Sequence, residues 1–256
     1  MKTLISKLLF AATTFAIALA STCVHAAGFQ RGFAADPDRK ALEIAIWYPS
    51  KSMVQPLSMG PTTMSVAVNG TVEGRALPLI VISHGYASSS VSHYDTAITL
   101  ADAGFVVAAV MHAGDNYADQ SRSTDVMDRP RQISRVIDHM LSSWEGHASI
   151  DPTRVGMYGY SAGGFTTLVN IGGIPDFTAV APMCRAYPAD FACQLLAKSG
   201  ANTAAPHPPL SAAADLRIKA AVVAAPAVGF AFAPDGLKNV KVPVQLWSAY
   251  FGERDR

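Results

Sequence analysis

Short apolar runs alternate with polar, glycine-punctuated segments along this chain, and the period of the apolar positions separates strands from helices. Leu77-Pro-Leu-Ile-Val-Ile-Ser and Phe105-Val-Val-Ala-Ala-Val-Met are continuous apolar runs, as expected of strands buried on both faces of a parallel sheet. Between them, Val91, Tyr94, Ala97, Leu100 and Ala101 recur at helical spacing and stop at Gly104. Pro130 to Leu141 places Ile133, Val136, Ile137, Met140 and Leu141 on one stripe, which predicts an amphipathic helix with Pro in its first turn and its charges on a solvated face. Val155 to Tyr158 predicts a strand followed by a helix through Ile171, and Ile218-Lys-Ala-Ala-Val-Val-Ala-Ala and Val240-Lys-Val-Pro-Val-Gln-Leu-Trp predict two more strands. Earlier, Ala41 to Tyr48 alternates as a half-exposed strand at a sheet edge should, and Met64-Ser-Val-Ala-Val forms a possible strand before the turn Asn69-Gly70 in the otherwise weakly organised stretch 51–76. Strand and helix in regular alternation predict an α/β protein with a largely parallel sheet.

Residues 172–217 break that alternation with recurring Gly and Pro, and read either as an insertion capping a site or as a surface excursion. Within them, Cys184 and Cys193 predict a short-loop disulfide, the alternative being two unpaired buried thiols. No His or further Cys is spaced around them as a metal site requires. At the N-terminus, Lys2 and Lys7 precede an apolar run from Leu8 to Ala20 and a small-residue cleavage site at Val24-His-Ala. Residues 1–26 therefore read as a signal peptide, with residues 27–256 as one mature domain in the periplasm or outside the cell. The alternative, a membrane anchor, is disfavoured because about a dozen apolar residues fall short of the ~20 that span a bilayer. Half of the 256 residues are hydrophobic, 15% are charged and the net charge is +1, which suits a single filled domain. No basic block marks a nucleic-acid or anionic-lipid partner, so the expected partner is a small molecule, with no membrane contact after signal removal and no cofactor.

One stretch carries chemistry. Gly159-Tyr-Ser-Ala-Gly163, set between a strand and a helix, is the pattern of a nucleophile held on a sharp turn, with Ser161 at its apex and glycines where side chains would strike neighbouring backbone. Upstream, His84-Gly85-Tyr86 follows a predicted strand. In that position the backbone N–H of Tyr86, with that of Ala162 at the start of the helix after Ser161, would form an oxyanion hole. The alternative for His84-Gly85 is an ordinary strand-to-loop turn. The polar loop from His112 to Ser121 also follows a strand's carboxyl end and reads as a solvated loop or a pocket wall.

The ordered series Ser83-His-Gly, Ala103-Gly-Phe-Val-Val-Ala-Ala-Val, Ile150-Asp-Pro-Thr-Arg, Gly159-Tyr-Ser-Ala-Gly-Gly and Lys241-Val-Pro-Val resembles the α/β-hydrolases known as predicted dienelactone hydrolases, relatives of platelet-activating-factor acetylhydrolase. The resemblance runs from about Ala41 to Trp247. It implies an α/β-hydrolase fold, with a mostly parallel central sheet, helices on both faces and a small cap over about 172–217. It also implies a serine esterase working through an acyl-enzyme on Ser161.

Such an enzyme needs an acid and a histidine after the serine. Gly252-Glu-Arg-Asp255 resembles the turn that carries the acid in many relatives, which nominates Asp255, although others place the acid after the preceding strand, where this chain has Ala224-Ala-Pro226. No histidine follows Asp255. His25 leaves with the signal peptide, and His84, His93, His112, His139, His147 and His207 read as loop, turn or helix-surface residues. The expectation is a chain that lacks its histidine base and final helix by on the order of tens of residues. The alternatives are a catalytically inactive fragment or binding protein, and a hydrolase of polymeric esters or peptide bonds.

Overall fold

A computed structural model describes residues 26–199 and 214–248. Most of the expected signal peptide, His207 and Asp255 lie outside the described residues. Among the described residues nine strands form one sheet: β1 (Ala26–Ala34), β2 (Leu42–Ser50), β3 (Gln55–Met59), β4 (Thr62–Val68), β5 (Leu77–Ser83), β6 (Val106–Val110), β7 (Ile150–Tyr160), β8 (Ile218–Ala224) and β9 (Val244–Trp247). Their spatial order is β3-β4-β1-β2-β6-β5-β7-β8-β9. The run from β6 to β9 is parallel, while β2 joins β6 and β1 joins β2 in antiparallel fashion. Among the described residues five α-helices accompany it: α1 (Tyr94–Asp102), α2 (Asp128–Ser142), α3 (Ala162–Asn170), α4 (Val180–Ala186) and α5 (Phe191–Ser199).

The two-residue period of the strands sorts their side chains into two cores. Ile44, Ile46 and Tyr48 of β2 and Val106, Ala108 and Val110 of β6 meet Ile133, Val136, Ile137 and Met140 of α2 and Leu168 of α3 on one face. Ala45 and Trp47 of β2 and Val107 and Ala109 of β6 meet Ala97 and Ala101 of α1 on the other. The mostly parallel sheet with helices on both faces agrees with the expected architecture.

Three expectations need correction. The strand after Ala41 is not a half-exposed edge: β1 pairs along its whole length, from Ala26 opposite Ser50 to Ala34 opposite Leu42, so β2 is interior and buried. Residues 51–76 hold two strands, because β3 and β4 close a hairpin with Met59 opposite Thr62. The loop after β6 is solvated only in its second half: His112, Asp115 and Asn116 are buried, whereas residues 117–121 are exposed.

The connections decide where a ligand can sit. The chain leaves β5 through α1 to β6 on one side, then crosses through α2 to β7 on β5's other side. The strand order therefore reverses at β5, and the crevice beyond the carboxyl ends of β5 and β7 is the switch point at which open α/β sheets bind ligands. Ser83 pairs with Gly159 there, so the loop after β5 and the turn after β7 emerge side by side.

Candidate active site

Ser161 stands between β7 and α3 with φ 55° and ψ −116°, a conformation that L-residues rarely adopt. The surroundings hold it: Ser161 N donates to Ala224 O at 2.9 Å, while its carbonyl accepts from Gly164 N at 2.8 Å and Ala227 N at 3.0 Å. Ala225 and Val228, just beyond β8, and Ala87, beyond β5, also have positive φ, so backbone strain gathers around the turn. The flanking glycines are dictated by contact. A Cβ on Gly159 would lie 2.1 Å from Gly163 O, and one on Gly163 would lie 1.9 Å from Ser83 O. Both obstacles are backbone, so no side chain can swing aside.

Across the crevice, Gly85 rests against the elbow, since a Cβ there would meet Ser161 Cβ at 3.5 Å. The loop that includes Tyr86 is clamped from beneath. Arg129, in the first turn of α2, is 2% exposed and donates through Nη2 to His84 O, through Nη1 to Asp115 Oδ2, and through Nε to Thr166 Oγ1 of α3 at 3.1 Å. Asp115 uses its other oxygen, Oδ1, to accept from Ala87 N at 2.9 Å. One buried ion pair therefore grips the backbone on both sides of Gly85 and Tyr86 and ties it to the helix that starts at the serine. Burial pushes the Arg129 guanidinium down to about 10, with Asp115 opposing that shift, so Arg129 stays cationic at neutral pH.

Two histidines support the same loop. His84 Nδ1 donates to Gly85 O at 2.6 Å and Nε2 accepts from His112 N at 3.1 Å. His112 Nδ1 donates to Gln132 Oε1 at 2.9 Å and Nε2 accepts from Ser83 Oγ at 2.8 Å. These partners assign both rings as neutral. Burial pushes His84 down to about 3 and His112 well below its ordinary value, with Arg129 adding to both shifts. Both lie in loops, as expected, but they are buried there and not exposed. They are buried structural parts of the site's floor.

A cavity of about 350 Å³ opens in front of Ser161, bordered by Gly85, Tyr86, His93, Tyr160 and Phe191. Tyr86 donates its hydroxyl to Gln120 Oε1 at 2.9 Å, and its ring meets Phe191 edge-on at 5.7 Å. His93 packs edge-on against Tyr158 and Tyr160, and burial lowers its pKa. Among the described residues no side chain hydrogen-bonds to Ser161 Oγ, and no cluster of three His, Cys, Asp or Glu is placed to hold a metal. Cys184 and Cys193 are bonded, with Cα atoms 5.2 Å apart, as expected. Asp255, the nominated acid, lies outside the described residues.

Arg129, Asp115, His93 and Phe191 were not singled out by the pattern. Arg129 left a signal: it precedes Ile133, Val136 and Met140 by 4, 7 and 11 positions, which places it on the apolar stripe of α2. A charge on that stripe announces a buried partner.

Fold and turn together define an α/β-hydrolase architecture. A family model described as platelet-activating factor acetylhydrolase, isoform II, matches residues 45–139, from β2 into α2. That segment includes the loop after β5 and the Arg129–Asp115 pair and ends before Ser161. Among solved structures, the chain is similar to a ferulic acid esterase from Streptomyces cinnamoneus, at 18% identity and a TM-score of 0.58. The match covers 90% of this chain and 66% of that protein, so the chain spans just under two thirds of the neighbour's length. No match is found among curated proteins.

Proposed function

We propose that this protein is an exported serine hydrolase that cleaves carboxylic esters through an acyl-enzyme on Ser161. The observation that carries the reading is Ser161 itself, held at positive φ on the first residue before α3 and faced by the loop after β5. Its Oγ attacks the ester carbonyl, forming the Oγ–C bond and pushing the carbonyl electrons onto oxygen. The backbone N–H groups of Tyr86 and Ala162 hold that oxyanion, and the first N–H groups of α3 have no acceptor within the helix. Collapse breaks the bond to the alcohol, which leaves with a proton, and water then hydrolyses the acyl-enzyme. The serine proton needs a base, for which none of the described histidines hydrogen-bonds to Ser161 Oγ, and Asp255 is the candidate for the acid that would orient one. Similarity to an acetylhydrolase family model and to an esterase fold supports the ester as substrate. Methyl and aryl esters of short acids should be turned over by the full-length protein, with Ser161→Ala reducing the rate by about 10⁴- to 10⁶-fold, the range seen when a triad member is removed. Equal turnover by the alanine variant would contradict the assignment.

A second reading is a hydrolase fold without catalysis. It is favoured by the lack, among the described residues, of any hydrogen bond to Ser161 Oγ. Ester binding without turnover would support it. Export is supported by the signal pattern of residues 1–26 and by a disulfide, which persists in oxidising compartments. Terminal sequencing of the mature protein should begin near Ala27 in a periplasmic or extracellular fraction. An uncleaved cytoplasmic product would overturn export.

A further inference from the structure

We propose that the cavity beside Ser161 is a subsite for the aromatic ring of a neutral ester, with Phe191 as the residue that sets this preference. This assignment of substrate class rests on Ser161 being the reacting centre. The cavity of about 350 Å³ lies at the small end of the ~300–1,000 Å³ range of ligand pockets, so it suits a group the size of one ring and a short spacer and not a long lipid chain. Its walls are aromatic on both sides of the serine. Tyr86 and Phe191 form one edge-to-face pair, with centroids 5.7 Å apart at 66°, and His93 and Tyr160 form another, 5.6 Å apart at 64°. Rings so placed attract a further ring through quadrupolar contacts that a saturated group of the same volume cannot make.

The wall made by Tyr86 and Phe191 is fixed before any ligand arrives. Tyr86 is tied to Gln120 through its hydroxyl, and Phe191 opens α5, where Asp190 Oδ1 accepts from Ala192 N at 2.9 Å and Cys193 N at 3.3 Å. The Cys184–Cys193 disulfide anchors the helix two residues further on. Yet Phe191 is 61% exposed and Tyr160 is 45% exposed. Large aromatic surface held rigid at the mouth of a cavity is surface that an apolar guest would cover. The lining favours a neutral guest: among the described residues it holds no Asp, Glu, Lys or Arg, and the lowered pKa of His93 leaves that ring neutral at pH 7. A carboxylate on the ring would lose its hydration there, and no cation among the described residues lines the cavity to replace it.

The test separates this subsite from catalysis by measuring binding on the full-length Ser161→Ala protein. Calorimetry compares 4-phenylbutan-2-one, 4-cyclohexylbutan-2-one and the phenyl ketone with a para-carboxylate. The phenyl compound should bind about 3- to 10-fold more tightly than the cyclohexyl one, and the carboxylate should weaken binding about 10-fold or more. Adding Phe191→Leu, which keeps an apolar side chain without a ring, should bring the phenyl and cyclohexyl affinities to within about twofold. Equal affinities before that change, or a preference that survives it, would overturn the subsite. Turnover of methyl 3-phenylpropanoate and methyl 3-cyclohexylpropanoate by the Ser161 protein then addresses the other claim. A ring preference in binding with no turnover leaves the subsite standing and removes the hydrolase, whereas turnover without ring preference in either measurement removes the subsite alone.

Discussion

His84 and His112 pack edge to face, 5.0 Å between ring centroids, beneath the loop that faces Ser161. Each nitrogen already has a partner, and Arg129 lies close enough to oppose a second positive charge. That arrangement makes stability depend on pH with a definite sign. The folded protein refuses protons that the unfolded chain accepts at the ordinary histidine value of 6.5. Stability is therefore full above about pH 6.5 and falls as pH drops towards 3, where His84 is protonated in the folded state. Between pH 7 and 5 the His84 ring should remove about 2 kcal/mol, with His112 acting in the same direction. Urea unfolding at the two pH values checks this, and an unchanged midpoint would contradict neutral buried rings. The same residues show why a histidine is hard to assign from pattern alone. His84 follows an apolar run and His112 opens a polar loop, and nothing in either neighbourhood reveals that they touch across 28 residues.

At the scale of elements, α2 ties the site together. Its apolar stripe packs on the sheet, and its first turn sends Arg129 under the loop after β5 and against α3. Asp115→Ala should leave Arg129 buried without a counter-charge and release Ala87 N, at a cost of about 3–5 kcal/mol. Denaturant unfolding measures that cost, and a loss below about 1 kcal/mol would show that the pair does not bear on the fold. Continuous apolar runs made β5, β6 and the end of β7 legible, because strands buried on both faces leave no alternation to misread. The sharp turn was legible for a related reason: glycine is demanded at 159 and 163 by backbone atoms only about 2 Å from any added carbon. β1 was not legible. Gly28, Gln30, Arg31 and Gly32 dilute its apolar residues, and its pairing with β2 is what turns β2 from an edge into an interior strand. The Arg129–Asp115 pair was hidden because a charge bridging 14 residues reads as solvated until its partner is seen.

Over the whole molecule, the reversal of strand order at β5 brings three separate pieces of chain to one crevice: the turn after β7, the loop after β5, and the start of α5. The fold thereby places the positive-φ serine turn, the loop after β5 and an aromatic wall together although they span residues 84–191. What places Ser161 there is independent of which acid or base serves it. The most direct measurement is covalent: the full-length protein is treated at pH 8 with a fluorophosphonate and digested, and the peptide carrying the adduct is identified by mass spectrometry. The account predicts a single adduct on Ser161, abolished in Ser161→Ala. An unlabelled Ser161, or an adduct on another serine, would contradict it.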